Sequence, residues 1–218
     1  MAKEVYSFHI IKIGFWQVLK HLLIPLYRHE ISGLMHSEAF LIMNLGMPVL
    51  SLKRYNLNSI ALFLRWESLE SYQSFFTKNL YQVQTGRHLQ MKAYRQWGEL
   101  TDLKNSVLHN ELINPREEVA AVTVARLKIA EIARFVKWGK PVEAQVRDHA
   151  GKIFSIAAFR PPNNFCTFSI WKSEIEMVGM VQSFEHKTAM EERLKKDFHY
   201  EFTTMRFTKL FGDFFTSL

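Results

Sequence analysis

The sequence has little of what marks several common classes of protein. Its 218 residues include a single cysteine, Cys166, so no disulfide can form within the chain and a reducing cytoplasm is expected. It has no glycine-rich phosphate loop, no His-x-x-x-His or Cys-x-x-Cys metal spacing and no nucleophile elbow. The apolar runs are short and interrupted by polar residues, and the first residues lack the pattern of a signal peptide. We therefore expect no membrane-spanning helix.

Basic residues exceed acidic ones, 28 against 21, which gives a net charge of +7. They are scattered, and the densest group, at 193–196, follows Glu191 and Glu192 on a predicted helix, as is typical of a solvated face. The basic residues do not cluster around aromatic ones, so nucleic-acid binding is disfavoured. Eighteen Phe and five Trp supply ample material for a core, and disorder is not expected.

One stretch of sequence occurs twice. A β-branched and aromatic run ends at Trp66 and again at Trp171, and each run is followed two residues later by a serine that can cap a helix, Ser68 and Ser173. Both pairs are 105 positions apart, and the same offset pairs Leu89 with Leu194. The chain is therefore predicted to be an internal duplication with halves at 1–110 and 111–218.

Hydrophobic periodicity predicts the order β-α-β-β-α-β in each half, which is the ferredoxin-like arrangement. The predicted strands are 5–12, 39–45, 60–66 and 94–103, then 119–127, 152–159, 165–171 and 199–208, and the predicted helices are 15–30, 68–91, a region opening at 130–137, and 173–196. The third strands are apolar on both faces, so both faces must be covered. The prediction is an α+β fold in which tandem ferredoxin-like repeats form a dimeric α/β-barrel within one chain, with a ligand cleft between the sheets.

The second half contains three distinctive segments: Ala-Ala-Val-Thr-Val-Ala-Arg-Leu at 120–127, Thr-Phe-Ser-Ile-Trp-Lys-Ser-Glu-Ile-Glu-Met at 167–177 and Glu-His-Lys-Thr-Ala-Met at 185–190. With these segments, the stretch at about 119–208 resembles the spheroidene monooxygenase family of carotenoid biosynthesis. The resemblance is weaker but in register through the first half. The resemblance implies a dimeric α/β-barrel, a haem cofactor and oxygenation of a long apolar polyene.

His186 is the first candidate for the axial haem ligand, and hence the metal ligand. If the helix after Ser173 breaks near Gln182, then His186, Met190, Arg193 and Leu194 share one face. A continuous helix would instead turn His186 away from its apolar neighbours, and a structural histidine is the alternative. The equivalent position in the first half is Tyr81, so only the second half would carry the ligand.

Two arginines are candidates for binding the haem propionates. Arg193 shares the face of His186, and Arg126 ends an apolar strand, where a salt bridge is the alternative. Arg65 precedes Trp66 in an apolar strand, so the same two interpretations apply to it. His9, His109 and His199 are weaker candidates for a ligand or a distal group, and Cys166 is interpreted as a small buried residue rather than a thiolate ligand.

The functional prediction is a haem-dependent monooxygenase that acts on an apolar substrate, for which the resemblance implies a carotenoid. The alternatives are a small α/β-barrel oxygenase without cofactor, or a barrel that binds haem or a lipophilic ligand without catalysis. An electron donor and a homo-oligomer are possible partners. The expected location is the cytoplasm, with peripheral placement at a membrane surface as the alternative.

Overall fold

The computed structural model describes residues 4–24, 31–48, 51–78, 86–104, 106, 108 and 113–210. Its strands and helices, in chain order, are β1 Val5–Lys12, α1 Phe15–Leu23, β2 Leu34–Met43, β3 Tyr55–Trp66, α2 Leu69–Lys78, β4 Gly86–Glu99, β5 Val119–Leu127, α3 Ile132–Asp148, β6 Lys152–Arg160, β7 Asn164–Trp171, α4 Glu174–Val181, α5 Phe184–Lys195 and β8 His199–Lys209. Short 3₁₀ turns lie at Leu52–Arg54, Thr101–Leu103 and Ile129–Glu131. None of the helices in these ranges is long and apolar enough to cross a membrane.

The eight strands close into one antiparallel barrel in the order β1-β3-β2-β6-β7-β5-β8-β4. Strands β1–β4 form one run, β4-β1-β3-β2, and strands β5–β8 repeat it as β8-β5-β7-β6. The two runs join where β2 pairs with β6 and where β4 pairs with β8. The predicted α+β fold of tandem ferredoxin-like repeats in a barrel is confirmed. The proposed boundary at 110/111 lies outside the described residues and stays a prediction.

The duplication is confirmed at the strand ends and helix starts. Trp66 pairs with Val5 in the first half, and Trp171 pairs with Val119 in the second. The hydroxyl of each predicted capping serine accepts the backbone N–H three residues later, over 3.2 Å in both halves. The predicted break in the last helical region is also confirmed, because α4 ends at Val181 and α5 begins at Phe184.

The predicted helix at 68–91 is wrong in its second part. Helix α2 ends at Lys78, and β4 begins at Gly86. From Gly86 the residues alternate, so that Leu89 points into the barrel core while its neighbours point outward. The predicted equivalence of Leu89 with Leu194 is therefore wrong as well, because Leu194 lies on α5 and is 82% exposed.

Side chains from both halves fill the inside of the barrel. The Phe8 ring of β1 stacks on the Phe168 ring of β7, with ring centroids 4.0 Å apart. Around them lie further buried aromatic and aliphatic residues of all eight strands, among them Tyr6, Phe40, Phe63, Met91, Val122, Ala158 and Phe207. The predicted ligand cleft between the sheets is wrong at the level of these described strands, because the space is occupied by the core.

One end of the barrel is closed by charged side chains. Glu38 of β2 is 2% exposed and bonds to Arg160 over 2.5 Å and to Arg126 over 3.3 Å. Arg126 also bonds to Asp102 over 2.7 Å and to Glu201 over 2.9 Å. Burial raises the pKa of Glu38, and the two guanidinium groups oppose that rise. This cluster ties β2 of the first half to the second half beside the short β2–β6 ladder.

Arg160→Met is expected to lower the free energy of unfolding by about 3 kcal/mol, because it leaves the buried Glu38 carboxylate with only its longer bond to Arg126. Urea unfolding at neutral pH measures the change. Arg147→Met is the control, since Arg147 pairs with Asp148 in an exposed position and should leave the urea midpoint unchanged. An Arg160→Met midpoint equal to that of the control would show that the cluster does not stabilise the barrel.

Candidate functional site

A chain of hydrogen bonds runs along the outer face of the first sheet, beneath α2. Trp66 Nε1 donates to Ser7 Oγ over 2.8 Å, and Ser7 Oγ lies 2.8 Å from His9 Nε2. His9 Nδ1 in turn lies 2.8 Å from His88 Nδ1 on the neighbouring strand β4. We call Trp66, Ser7, His9 and His88 the histidine chain. Its inner end is fully buried, and its outer end, His88, is half-buried.

Aromatic rings from α2 cover the histidine chain. The His9 ring stacks on Tyr72 and Phe76 at centroid distances of 6.1 and 6.2 Å, and His88 meets the edge of Phe76 at 5.0 Å. Gly86 permits the close pairing of β4 with β1 and leaves room for the His88 ring, because a Cβ at this position would lie 2.5 Å from the backbone oxygen of Ile10 and 3.1 Å from His88 Nε2. The histidine chain therefore runs from a buried interior to the half-buried His88, against which Phe76 packs.

Burial sets the charge of His9. It lowers the pKa of His9 to about 3, and the nearby His88 adds to this effect. His9 is therefore neutral at physiological pH and acts as a hydrogen-bond donor or acceptor, not as a charge. Burial also raises the pKa of Tyr72 above its ordinary value, so its hydroxyl keeps its proton.

The second half carries a different pair at the equivalent place. The first residue of β1 pairs with Trp66 and the first residue of β5 pairs with Trp171, which aligns the two strands. In this alignment His9, the fifth residue of β1, corresponds to Thr123, the fifth residue of β5. His88 and Thr204 correspond in the same way, through the pairings Tyr6–Met91 and Ala120–Phe207. The hydroxyls of Thr123 and Thr204 lie 3.0 Å apart. At the same position, therefore, one half forms its hydrogen bond between two imidazoles and the other between two hydroxyls.

A groove of about 450 Å³ lies on the outside of the second half. It is lined by residues of β4, α4 and β8 and by one residue between β4 and β5, namely Arg95, Pro115, Glu174, Ile175, Val178, Gly179, Gln182 and Arg206. Its buried charges are paired, because Arg206 bonds to Glu174 over 2.8 Å. Tyr94 donates to the same carboxylate over 3.2 Å, and burial raises the pKa of this tyrosine. The groove thus lacks the pair of imidazoles that the first half has.

The structure does not bring the three predicted haem-site residues together. Arg126 bonds to Glu201, which points to the inside of the barrel. Arg193 lies over the ring of Phe202, the next residue along β8, at 3.7 Å from the ring centroid. Successive residues of a strand point to opposite faces, so Arg126 and Arg193 lie on opposite sides of the sheet. Arg126 contacts three carboxylates, so the structure fits the alternative interpretation of this residue as part of a salt bridge.

His186 lies on α5 and is half-buried, and burial lowers its pKa. Its Nδ1 atom is buried without a hydrogen-bond partner among the described residues, as a ligand atom could be. However, the apolar residues predicted to line the haem beside it face solvent, since Met190 is 41% exposed and Leu194 is 82% exposed. A haem needs an apolar slot around its ligand, and these residues do not form one. We therefore derive no chemical step through haem, and the ligand role of His186 stays a prediction.

The weaker candidates are placed as follows. Arg65 forms a buried pair with Glu4, with atoms 2.7 Å apart, and His199 bonds to Asp197 over 3.1 Å. Cys166 faces the barrel core, where burial raises the pKa of its thiol. His109 and Tyr81 lie outside the described residues. Within the described part of the chain, no three His, Cys, Asp or Glu residues are grouped as a metal site.

Sequence reasoning missed most of the histidine chain. His9 was a weak candidate, Ser7 was not singled out, and His88 fell within the helix predicted at 68–91. The available signal was the alternation from Gly86 to Met91, which places His88 and Gln90 on one face and Leu89 on the other.

His9 is expected to make the stability of the protein depend on pH. The imidazole pKa is 6.5 in the unfolded chain and about 3 when folded, so the unfolded state binds the extra proton between these values. Above pH 6.5 neutral His9 leaves the free energy of unfolding at its full value. Below pH 6.5 this free energy falls with the pH, by up to about 1.4 kcal/mol per pH unit. Urea unfolding over this range should show a flatter profile for His9→Thr than for the wild type. Thr204→Val, which removes no titrating group, should keep the wild-type profile, and an unchanged slope in His9→Thr would contradict the assignment.

Known proteins resemble this chain in structure and not in sequence. No family model and no curated protein matches it. A candidate monooxygenase from Fusobacterium nucleatum has a TM-score of 0.43 and 8% identity, covering 96% of this chain and 94% of that one. One from Lactobacillus acidophilus has a TM-score of 0.41 and 7% identity, covering 95% and 94%. A cofactor-independent oxygenase from Streptomyces nogalater has a TM-score of 0.37 and 12% identity, covering 44% of this chain and 96% of its own. With scores of this size, these likenesses assign no activity to the chain.

Proposed function

We propose that the chain is a monooxygenase-type oxidoreductase whose active site is the outer end of the histidine chain. The observation that carries this proposal is the continuous hydrogen-bonded path from the buried Trp66 to the half-buried His88, beneath the rings of α2. A flat apolar substrate would lie against Phe76 with its reacting carbon at His88. In this proposal the first half holds the active site, whereas the predicted haem site was in the second half.

We propose a set of tautomers along the path that makes His88 a proton acceptor. Trp66 Nε1–H can only donate, so Ser7 Oγ accepts its hydrogen bond. In the arrangement we propose, Ser7 also accepts the Nε2–H of His9, so that His9 Nδ1 accepts the Nδ1–H of His88. His88 Nε2 then carries the lone pair. Because burial holds the pKa of His9 at about 3, His9 stays neutral and does not repel the charge that His88 gains.

The proposed reaction converts an acidic methylene between aromatic rings into a ketone. His88 takes one proton, and the electron pair left on carbon forms a bond to molecular oxygen. The resulting peroxide anion recovers the proton from His88. Loss of water, which removes the second hydrogen and breaks the O–O bond, leaves the carbonyl group. The methylene supplies all four electrons that oxygen accepts, so this reaction needs no separate electron donor.

The surroundings of His88 suit this chemistry. Tyr72 and Phe76 cover His9, and Phe76 also packs against His88, so a flat substrate lying on Phe76 would displace water from His88 and shield the anion from solvent protons. A localised charge would be costly in such a place, whereas an anion delocalised over aromatic rings costs less to desolvate. The site therefore favours a conjugated carbon acid over a small polar substrate.

Anthrone is a suitable probe, because its central methylene is flanked by two aromatic rings. The wild type should catalyse oxygen uptake with anthrone in the presence of a metal chelator. The double variant His9→Thr with His88→Thr copies the pair that the second half holds at this position, so it should fold and lose roughly 100-fold or more in rate. The matched control is Thr123→Val with Thr204→Val, which should keep the wild-type rate.

Two results would contradict the proposal. In the absence of oxygen, the wild type should exchange the methylene hydrogens of anthrone with heavy water, and failure to do so would remove His88 as the base. Equal losses of rate in the two double variants would show that the effect is not specific to the histidine chain.

Two further experiments test the prediction that the protein binds haem and oxidises a polyene. If His186 is an axial ligand, protein reconstituted with haemin should show a Soret band that His186→Ala alters. Turnover of lycopene, a linear carotenoid, by the haemin-loaded protein alone would favour that reading over ours. We expect neither result, because Leu194 and Met190 beside His186 face solvent.

A further inference from the structure

The outer face of α1 is apolar and uncovered. Trp16 is 77% exposed and Leu23 is 72% exposed, and between them Leu19 is 37% exposed. Lys20 lies among them and is also exposed. Residues at these spacings share one side of a helix. We call Trp16, Leu19, Lys20 and Leu23 the α1 outer face.

This exposure does not come from packing needs of the barrel. Val18, on the opposite side of α1, is 2% exposed and is the residue that the helix buries. The helix packs on the outside of β2 and β3, since the inside of the barrel is full. Polar residues on the α1 outer face would leave that packing unchanged, so the apolar ones point to a partner outside the described part of the chain.

The charge of α1 indicates what that partner is. Lys20 is its only Lys, Arg, Asp or Glu, and the whole chain has a net charge of +7. Helix α5 provides a contrast within the same protein. It also exposes large apolar residues, with Phe184 at 78% and Leu194 at 82%, but its three glutamates are balanced by Lys187, Arg193 and Lys195. An anionic surface would therefore attract the uncompensated charge of α1 more than the balanced charges of α5.

We propose that the α1 outer face docks the protein on the surface of an anionic lipid bilayer. A helix with exposed tryptophan and leucine and with cationic charge binds in the headgroup region, with its axis parallel to the membrane. Tryptophan is suited to this depth because its ring is apolar while its N–H remains in the polar layer. The nine-residue helix would lie on the membrane and would not cross it.

A second copy of the chain is a weaker occupant of the same face. A nine-residue helix is about 14 Å long and about 10 Å wide, so its face covers on the order of 150 Å². A stable protein interface needs roughly 800 Å² from each partner. In a symmetric dimer each Lys20 would also approach its own copy across the two-fold axis, and like charges would repel.

Helix α1 lies on the same side of the barrel as the histidine chain. Helices α1 and α2 both lie on the outer face of the first sheet, which also carries the histidine chain. Docking through α1 would bring that layer close to the lipid, where apolar molecules concentrate. The docking itself does not depend on the proposed oxygenase chemistry.

Flotation of the full chain with lipid vesicles tests the docking. The wild type should float with phosphatidylcholine vesicles that contain phosphatidylserine, and less with pure phosphatidylcholine. Trp16→Glu combined with Leu23→Glu should lower the bound fraction about tenfold or more, since both apolar anchors are lost and negative charge is added. Lys20→Glu alone should remove the preference for phosphatidylserine.

The matched control is Phe184→Glu with Leu194→Glu on α5, which makes the same kind of change at equally exposed positions and should float like the wild type. The proposal is overturned if the wild type floats with neither vesicle, or if both double variants lose binding equally. It is also overturned if sedimentation shows a dimer that the α1 double variant dissociates. Anthrone turnover without vesicles should be the same in the α1 double variant as in the wild type, so the two proposals can fail independently.

Discussion

The contact between the inner faces of the two sheets determines where everything else can lie. Phe8 of the first half and Phe168 of the second stack at 4.0 Å in the middle of the barrel, and the surrounding core leaves that region filled. Burial of these large rings is the main favourable term in forming the barrel. Because the inside is occupied by the core, polar chemistry is displaced to the outer faces, under the helices, and to the charged end around Glu38.

Duplication with divergence gives the two outer faces different properties. The same strand positions hold His9 and His88 in one half and Thr123 and Thr204 in the other. Each pair satisfies its own hydrogen bonds, so each is compatible with the fold. The threonine pair shows that the fold does not require imidazole at this place, which makes the buried imidazoles of the first half the more informative pair. Burial of a group that would otherwise titrate near neutral pH has a cost in stability, and the proposed role of the histidine chain would account for that cost.

The charged and the exposed apolar side chains show a similar division. Around Glu38, the opposite charges are paired with one another at the join between the halves, which makes them part of the structure. The groove beside α4 likewise pairs Arg206 with Glu174. The apolar residues of the α1 outer face have no such partner within the described chain, and they lie on the half that carries the histidine chain.

The sequence by itself determined the repeated β-α-β-β-α-β order, because strand alternation and serine caps are local signals that Trp66, Trp171, Ser68 and Ser173 display directly. It also determined that Arg126 needed a partner, since a guanidinium in an apolar strand must be paired or solvated. Only the tertiary structure decided that the partners were carboxylates from three separate segments, and that Arg193 lies on the other face of β8. It alone brought His9 within 2.8 Å of His88, which is 79 residues away, because strand pairing depends on how the whole sheet closes. The filled interior was likewise beyond the sequence, since local patterns show which residues are apolar and not how much space remains between them.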